Sequence, residues 1–272
     1  MPELPEVETV KETLKKQILN KTIKNINILC TNIIEFPDVD EFKKKIIGQT
    51  FIDIKRRGKW LMFELNDYYM LSHLRMEGRY YIKDNSDIID KHEHVIFDLE
   101  DISLRYKDTR KFGKLLLINK DEVYNREPLS LLGLEPWDEK LNVSYLKNKL
   151  KNKSLPIKTL LLDQTIIVGI GNIYADEILF LSKINPTRKG FELKDEDLFN
   201  IIKYTKKVLI NAIEKGGTTI RTYESGLGVH GNFQNELLVH NKKDAECINC
   251  HTNIKKIVVN GRGTYYCPNC QK

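Results

Sequence analysis

The chain has 272 residues, of which 41% are hydrophobic and 30% charged, a globular composition with room for two domains and a small module. Lys and Arg outnumber Asp and Glu by 44 to 38, and the net charge of +6 permits a polyanionic partner without requiring one. Because the first residues are acidic and interrupted by prolines, we expect no secretory signal peptide, and no apolar run approaches the roughly 20 residues of a membrane span. We therefore expect a cytoplasmic protein without a membrane partner, and we also expect it to be a monomer.

The first residues combine a possible nucleophile with the start of a helix. Because Pro2 permits removal of Met1, the mature N-terminus is expected to be a secondary amine, and an α-amino pKa of about 7.7 to 8.0 leaves part of it unprotonated at neutral pH. The carboxylate of Glu3 is its covalent neighbour. The helix is indicated by an early proline, first-turn acids and one apolar face, namely Pro5, Glu6, Glu8, Val7, Val10, Leu14 and Ile18. Taken alone, the stretch also fits an ordinary solvated end before a capped helix.

Short β-strands separated by polar turns dominate residues 22–120, interrupted by a short helix near Asp40–Ile47. The predicted strands are Thr22–Leu29, Phe51–Arg57, Trp60–Leu65, Tyr68–Leu74, Gly78–Ile82, His94–Leu99, Ile102–Lys107 and Lys114–Ile118. Eight strands without interleaved helices predict an antiparallel sandwich or a flattened barrel.

Two loops in this half carry concentrated positive charge. Lys55–Lys59 places four cations in five positions around Gly58, where the backbone can approach a ligand closely, although a solvated strand end is the alternative. Arg105–Lys114 adds two aromatic residues to five cations, a composition that suits unstacked bases and phosphates. His73 and the tripeptide at 92–94 lack a convincing third metal ligand, so a phosphate contact by His92 is preferred over a metal site.

The pattern becomes helical beyond a boundary near Leu132–Trp137. Helices are predicted at Val143–Lys151, Pro156–Leu162, Asn172–Ser182 and Asp195–Lys215. Before the third helix, two glycines make a tight turn and Asn172 is a good N-cap, so the free amides there could bind phosphate. A packing corner between helices is the alternative. The glycine-rich residues 216–234 fit either a lid or an idle mobile connection.

The most specific chemical signal is the cysteine pattern at the end of the chain. Two C-x-x-C pairs separated by sixteen residues have the spacing of a closed four-cysteine zinc site, and they are Cys247, Cys250, Cys267 and Cys270. Such a site leaves no open position for catalysis. Between the pairs, the sequence predicts a β-hairpin that turns at Asn260-Gly261 and carries Arg262 near its tip.

Several of these motifs, in this order, resemble those of bacterial formamidopyrimidine-DNA glycosylases, which repair oxidised purines. The shared motifs are Pro2–Thr9, Gly58-Lys59, Met76, His92–His94, Arg110–Gly113, Gly169–Glu177 and Arg262–Lys272. The resemblance implies an α+β multidomain fold: an N-terminal antiparallel β-sandwich with flanking helices, a helical domain with a helix-two-turns-helix motif, and a β-hairpin zinc finger. The expected ranges are 1–134 for the catalytic domain, 135–238 for the helical domain with a lesion-capping loop, and 239–272 for the finger.

The resemblance also implies a function, a bifunctional glycosylase and abasic-site lyase of base-excision repair. Its partner is double-stranded DNA with a damaged base or an abasic site, its cofactor one structural zinc ion, and its place the bacterial nucleoid. The implied catalytic residues are Pro2, Glu3, Lys59 and Arg262, and the implied DNA contacts are His92, Arg110, Lys153 and Asn172. Met76, Arg110 and Phe112 would fill the void left by the extruded base, and candidates for contacting that base are Glu6, Glu77, Thr218, Thr219 and Tyr223.

Two other functions fit the same residues. One is the related glycosylase for oxidised pyrimidines, of the endonuclease VIII type, which shares the amine, the helical motif and the zinc. Leu4, Val7 and the loop around Arg110 favour the purine enzyme. The other is a zinc-finger DNA-binding protein without catalysis, against which Pro2, Glu3 and Lys59 argue.

Overall fold

A computed structural model describes residues 1–218 and 231–272. The chain forms two compact units. The first unit comprises Met1–Ser130 with the described residues of Gly216–Gly231, and the second comprises Leu131–Lys215 with Asn232–Lys272. Within the described residues, no helix has the length and apolar character needed to cross a bilayer.

The first helix of unit 1, α1 (Leu4–Ile18), packs against the sheets through one apolar face. As the periodicity predicts, that face is almost fully excluded from solvent and consists of Val7, Val10, Leu14 and Ile18. Glu3 is the N-cap and forms a reciprocal capping box with Glu6, which satisfies amides that the first turn would otherwise leave unpaired. The start of the helix is therefore fixed at the residues that resemble the glycosylase motif.

The described residues of unit 1 contain nine strands in two sheets. The strands are β1 (Asn25–Ile28), β2 (Ile34–Phe36), β3 (Asp53–Arg57), β4 (Trp60–Glu64), β5 (Tyr68–His73), β6 (Arg79–Asp84), β7 (Glu93–Leu99), β8 (Ile102–Lys107) and β9 (Lys114–Asn119). A second helix, α2 (Val39–Ile46), follows β2. One sheet has the order β1-β7-β8-β6 and the other β2-β9-β5-β4-β3, and the apolar faces enclose one core.

The sequence analysis did not predict one strand of the sandwich, β2. Strand β2 is only three residues long and pairs with β9 in parallel, whereas the other pairs in these sheets are antiparallel. A parallel pairing joins segments about 80 residues apart, so local alternation carries no signal for it. The prediction of an antiparallel sandwich holds except at this edge.

Unit 2 contains four helices and a hairpin. The helices are α3 (Val143–Leu150), α4 (Ile157–Leu161), α5 (Asn172–Leu181) and α6 (Asp195–Glu214), and the hairpin strands are β10 (Lys255–Val259) and β11 (Arg262–Tyr266). The hairpin turn places both Asn260 and Gly261 at positive φ, as a two-residue turn that matches strand twist requires.

The prediction that Asn172 caps α5 is wrong. The N-cap is Gly171, in extended conformation, and Asn172 is the first helical residue. Its side-chain amide instead donates to the carbonyl of Gly263 in the hairpin, at 3.0 Å. A long-range partner has thus replaced the local capping bond that the residue type favours.

Candidate active site

The residues that follow Met1 are buried. Pro2 is buried and Glu3 is only 3% exposed. Burial lowers the pKa of the Met1 amine, and the charge of Lys59 lowers it further, whereas Glu3 and Glu6 act in the opposite direction. After removal of Met1, the amine belongs to Pro2 in the same buried segment, so an unprotonated, nucleophilic form is favoured by the site itself.

Glu6 joins the amino terminus to the beginning of the glycine-rich segment. Its Oε2 accepts a hydrogen bond from the Glu3 amide at 2.9 Å. Its Oε1 accepts bonds from the amide and hydroxyl of Thr218, at 2.7 and 3.0 Å, although the two residues are 212 positions apart. Gly217 has φ +79°, and a Cβ there would lie 2.7 Å from Oε1 of Glu6, which explains the need for glycine. The structure therefore brings together two predicted base contacts, while Thr219 and Tyr223 lie outside the described residues.

Lys59 lies in the turn between β3 and β4 and is only 6% exposed. The turn is held against α1 by Arg56, whose Nη1 donates to the Gly58 carbonyl at 2.9 Å and whose Nε donates to Glu8 Oε2 at 2.7 Å. Gly58 adopts φ +57°, a left-handed conformation that favours glycine. Arg56 thus ties the element that carries Lys59 to the element that carries Glu3, a link that the sequence did not reveal.

His73, at the end of β5, adds a neutral imidazole near these charges. It packs edge-on against Trp60, with 4.8 Å between ring centroids, and its Nδ1 accepts a bond from the Arg75 amide at 3.0 Å. Burial lowers its pKa to about 3, and the charges of Arg75 and Lys59 add to the effect. At neutral pH the ring is therefore uncharged, with Nε2 carrying the proton when Nδ1 accepts.

The three predicted void-filling residues are all exposed at the surface of unit 1. Met76 is 36% exposed and Phe112 is 49% exposed, and the Arg110 guanidinium lies 4.7 Å from the Phe112 ring centroid. Glu77 follows Met76 and accepts a hydrogen bond from the Thr109 hydroxyl, which connects the two loops. Exposed apolar and cationic side chains on short connections are suited to enter a nucleic-acid stack.

His92 is half-buried beside β7, and its backbone is fixed on both sides. The Asp90 carboxylate accepts from its amide at 2.8 Å, and its carbonyl accepts from the Asp108 amide at 3.0 Å. Nearby, the buried guanidinium of Arg105 donates to Glu93, to the carbonyl of Asp84 at the end of β6, and to the carbonyls of Asp87 and Ile88 in the loop between β6 and β7. This clamp holds the connection that leads to His92.

The predicted DNA contacts of unit 2 divide into two groups. Asn172 and Arg262 lie at neighbouring positions, because the Asn172 amide donates to the carbonyl of Gly263, which follows Arg262. Lys153 is exposed, lies before α4 and does not take part in the contact between Asn172 and Gly263. The lysine joined to the hairpin is instead Lys158, which is fully buried and donates to Asp176 Oδ1 at 2.7 Å and to the Gly263 carbonyl at 2.9 Å.

The four cysteines of the finger form one cluster. Their Sγ atoms all lie within 4.8 Å of one another, with Cys250 and Cys267 at 3.4 Å and Cys247 and Cys270 at 3.8 Å. A tetrahedral zinc with bonds of about 2.3 Å places its sulfur ligands roughly 3.8 Å apart, so the donor set fits the ion. Among the described residues, no second group of potential ligands forms such a cluster.

Three family descriptions match successive parts of the chain. The formamidopyrimidine-DNA glycosylase N-terminal domain matches residues 1–115, the H2TH domain of the same enzyme matches residues 132–224, and a zinc finger found in FPG and IleRS matches residues 246–272. The formamidopyrimidine-DNA glycosylase of Shouchella clausii (strain KSM-K16) is 48% identical over 100% of this chain and 99% of its own length. The chain belongs to the formamidopyrimidine-DNA glycosylase family.

Solved structures of this glycosylase family agree with that assignment. A Lactococcus lactis Fpg mutant, G226P, in complex with Fapy-dG-containing DNA has a TM-score of 0.95 and 39% identity, with 100% of both chains covered. The Lactococcus lactis Fpg in complex with abasic-site DNA has a TM-score of 0.94 and 39% identity over 99% of each chain. The α+β fold and the single structural zinc expected from the sequence are thereby confirmed.

Proposed function

We propose that this chain is a bifunctional DNA glycosylase of base-excision repair, which removes oxidised purines such as 8-oxoguanine and formamidopyrimidines and then cleaves the strand by β,δ-elimination. The observation that carries the proposal is the buried Pro2-Glu3 segment, where burial lowers the pKa of the terminal amine and Glu3 and Lys59 lie within electrostatic range. An amine in such surroundings is a nucleophile at neutral pH. The substrate is bacterial DNA, so the enzyme acts in the cytoplasm at the nucleoid.

In the first step, the unprotonated Pro2 nitrogen attacks C1′ of the damaged nucleotide. The N-glycosidic bond breaks, and the base leaves with its bonding electron pair and takes up a proton. Glu3 protonates the ring oxygen, the C1′–O4′ bond opens, and the proline nitrogen loses its proton as the cationic iminium forms. The position of Glu3 beside the nucleophile supports the role of proton donor.

In the second step, the iminium acts as an electron sink. Because the nucleophile is a secondary amine, the adduct remains cationic, and the C2′ proton becomes acidic. Loss of that proton expels the 3′ phosphate, and a further elimination expels the 5′ phosphate, which leaves a one-nucleotide gap. Lys59 and Arg262 are proposed to stabilise the departing phosphates, because guanidinium and ammonium groups bind phosphate oxygens strongly.

Recognition requires that the damaged base leave the duplex. We assign Met76, Arg110 and Phe112 to the vacated space, on the basis of their exposure and residue types. His92, Asn172 and, more weakly, Lys153 are proposed as phosphate contacts. The extruded base is proposed to meet Glu6, Glu77 and residues 218, 219 and 223.

Zinc would be held by the four cysteines and, when bound, supplies cross-linking of a segment too small to form its own core. The hairpin between the cysteine pairs then carries Arg262 on a fixed turn. Four thiolates close the coordination shell, so the metal takes no part in the reaction of DNA.

The proposal is tested with purified protein and labelled duplexes that carry one 8-oxoguanine, one oxidised pyrimidine or one abasic site. We expect excision and strand cleavage at the oxidised purine, and cleavage at the abasic site. Faster excision of the pyrimidine would favour the related endonuclease VIII-like function. DNA binding without any cleavage would favour the non-catalytic alternative and would overturn the proposal.

A further inference from the structure

A buried carboxylate organises the loop that carries Arg110 and Phe112. Asp108 is only 1% exposed. Its Oδ1 accepts a hydrogen bond from the Arg110 amide at 3.0 Å, and its Oδ2 accepts bonds from the amides of Phe112 and Gly113 at 2.9 and 2.8 Å. One side chain therefore satisfies three backbone donors in a turn whose Lys111 has φ +55°.

The same carboxylate lies where two connections meet, the one between β5 and β6 that carries Met76 and the one between β8 and β9 that carries Phe112. Oδ2 of Asp108 is 3.5 Å from the hydroxyl of Tyr106, a fully buried residue of β8. A Cβ built on Gly113 would lie 1.6 Å from that hydroxyl, and a Cβ built on Gly78 would lie 2.2 Å from it. Both loop backbones therefore pass against the Tyr106 hydroxyl, and both positions require glycine.

The backbone of Asp108 connects this arrangement to strand β7. Its amide donates to the His92 carbonyl at 3.0 Å, and its carbonyl oxygen lies 2.8 Å from His94 Nε2. A group anchored at both its side chain and its backbone cannot follow a loop movement without losing several hydrogen bonds. The exposed side chains thus project from a rigid base rather than from a free loop.

We propose that Asp108 is a positioning residue that preorganises Met76, Arg110 and Phe112 for insertion into DNA. The inference rests on the proposed function, because it assigns these three side chains to the space left by the extruded base. Asp108 does not touch DNA in this role. It acts by holding the loop amides, while Tyr106 sets the distance between the two loops.

The test compares two substrates, a duplex with 8-oxoguanine paired to cytosine and a duplex with a preformed abasic site. Asp108→Asn keeps the shape but removes the charge and one acceptor oxygen. We expect roughly a tenfold loss in single-turnover excision of the paired base, the effect of losing a hydrogen bond to a charged acceptor. Cleavage at the abasic site should fall by less than about threefold, because there the base is already absent. Asp101→Asn, in the exposed turn between β7 and β8, is the matched control.

A double-variant cycle separates positioning from a general loss of structure. In an Arg110→Ala, Phe112→Ala background, Asp108→Asn should cost less than about twofold more, because two of the three groups that it positions are gone. 2-Aminopurine placed next to the lesion should show a smaller fluorescence rise with Asp108→Asn than with the wild type. Equal losses on both substrates, or losses that multiply in the cycle, would overturn the inference.

A second variant keeps the inference testable if Asp108→Asn does not fold. Tyr106→Phe removes only the hydroxyl that both loops contact, and we expect the same preference for loss on the paired substrate, at smaller size. An unchanged ratio between the two substrates would contradict the shared scaffold. A wild-type enzyme that cleaves neither substrate would instead refute the proposed function, so the two failures are distinguishable.

Discussion

At the residue scale, the site combines two groups whose pKa values are lower than those of the free groups. The Met1 amine and His73 both have lowered pKa values, and burial is the largest cause for each. Desolvation disfavours cations, so the unit favours the uncharged forms of a potential nucleophile and an imidazole beside the ammonium of Lys59. The charge of Lys59 also acts in this direction on both groups.

The lowered pKa of His73 predicts a specific pH dependence of stability. The unfolded imidazole titrates near pH 6.5 and the folded one near pH 3, so between these values the unfolded state binds more protons. Stability contributed by the neutral ring is therefore present above pH 6.5 and is lost as pH falls toward 3. In urea unfolding between pH 6 and 4.5, we expect the wild type to lose about 1 kcal/mol per pH unit more than His73→Gln.

The control for this measurement is His251→Gln, an exposed residue of the finger. The free energy of unfolding of this variant should change with pH in the same way as that of the wild type. If the free energy of unfolding had the same pH dependence in His73→Gln and in the wild type, the ring would not be held neutral by the fold.

At the element scale, α1 and the β3–β4 turn form one structural unit through Arg56. Glu8 on α1 is partly desolvated, which raises its pKa, but the hydrogen bonds from Lys11 and Arg56 outweigh burial and lower it. The pair between Arg56 and Glu8 is largely buried, with side chains 5% and 18% exposed. Ion pairs of this kind are costly to break, because the remaining charge loses its partner.

We predict that Arg56→Met destabilises unit 1 by roughly 2 to 3 kcal/mol and slows strand cleavage at an abasic site. The slowing is expected because the Gly58-Lys59 turn loses its anchor on α1. Thermal unfolding and single-turnover cleavage measure the two effects. Lys55→Met, one position earlier on β3, removes a partly exposed lysine from a pair with Glu64 of β4, which keeps Lys120 as a partner. This variant should cost less than about 1 kcal/mol and leave cleavage unchanged. Equal behaviour of the two variants would contradict a bracing role for Arg56.

Local sequence patterns were sufficient for most elements but not for the contacts between them. The α1 face, the antiparallel strands and the cysteine spacing follow from periodicity and ligand chemistry, and the structure reproduces them. Strand β2, the partner of Asn172 and the bond between Glu6 and Thr218 depend on segments far apart in the chain. Neither residue type nor spacing contains that information, because tertiary contacts override local preference.

At the scale of the whole molecule, the zinc finger is a small part that depends on its metal. Hydrophobic contacts of the finger involve few buried residues, among them Cys247 and Cys267 themselves. Segments of this size obtain much of their folding free energy from metal binding. Unit 1, by contrast, has a continuous core that includes α1 and both sheets.

We therefore predict one zinc ion per chain in the wild type and its loss in Cys250→Ser. DNA affinity should fall by at least about tenfold, because the hairpin that carries Arg262 is no longer fixed, whereas unit 1 should remain folded. Metal analysis, a DNA titration and circular dichroism provide the readouts. Cys30→Ser, outside the cluster, is the matched control. Full DNA affinity in a zinc-free Cys250→Ser protein would remove the finger from DNA binding.

The proposed chemistry depends above all on a free amine at Pro2. Borohydride added during turnover should reduce the iminium and leave DNA covalently attached to the first residue of the processed chain. A variant that retains one additional residue before Pro2 converts this amine into an amide, which cannot attack C1′, while the zinc cluster and the proposed phosphate contacts remain. We expect this extended protein to bind DNA but to form no trapped adduct, excise no base and cleave no strand. Adduct formation by the extended protein at the wild-type rate would place the nucleophile elsewhere, with Lys59 the first candidate, and would contradict the mechanism.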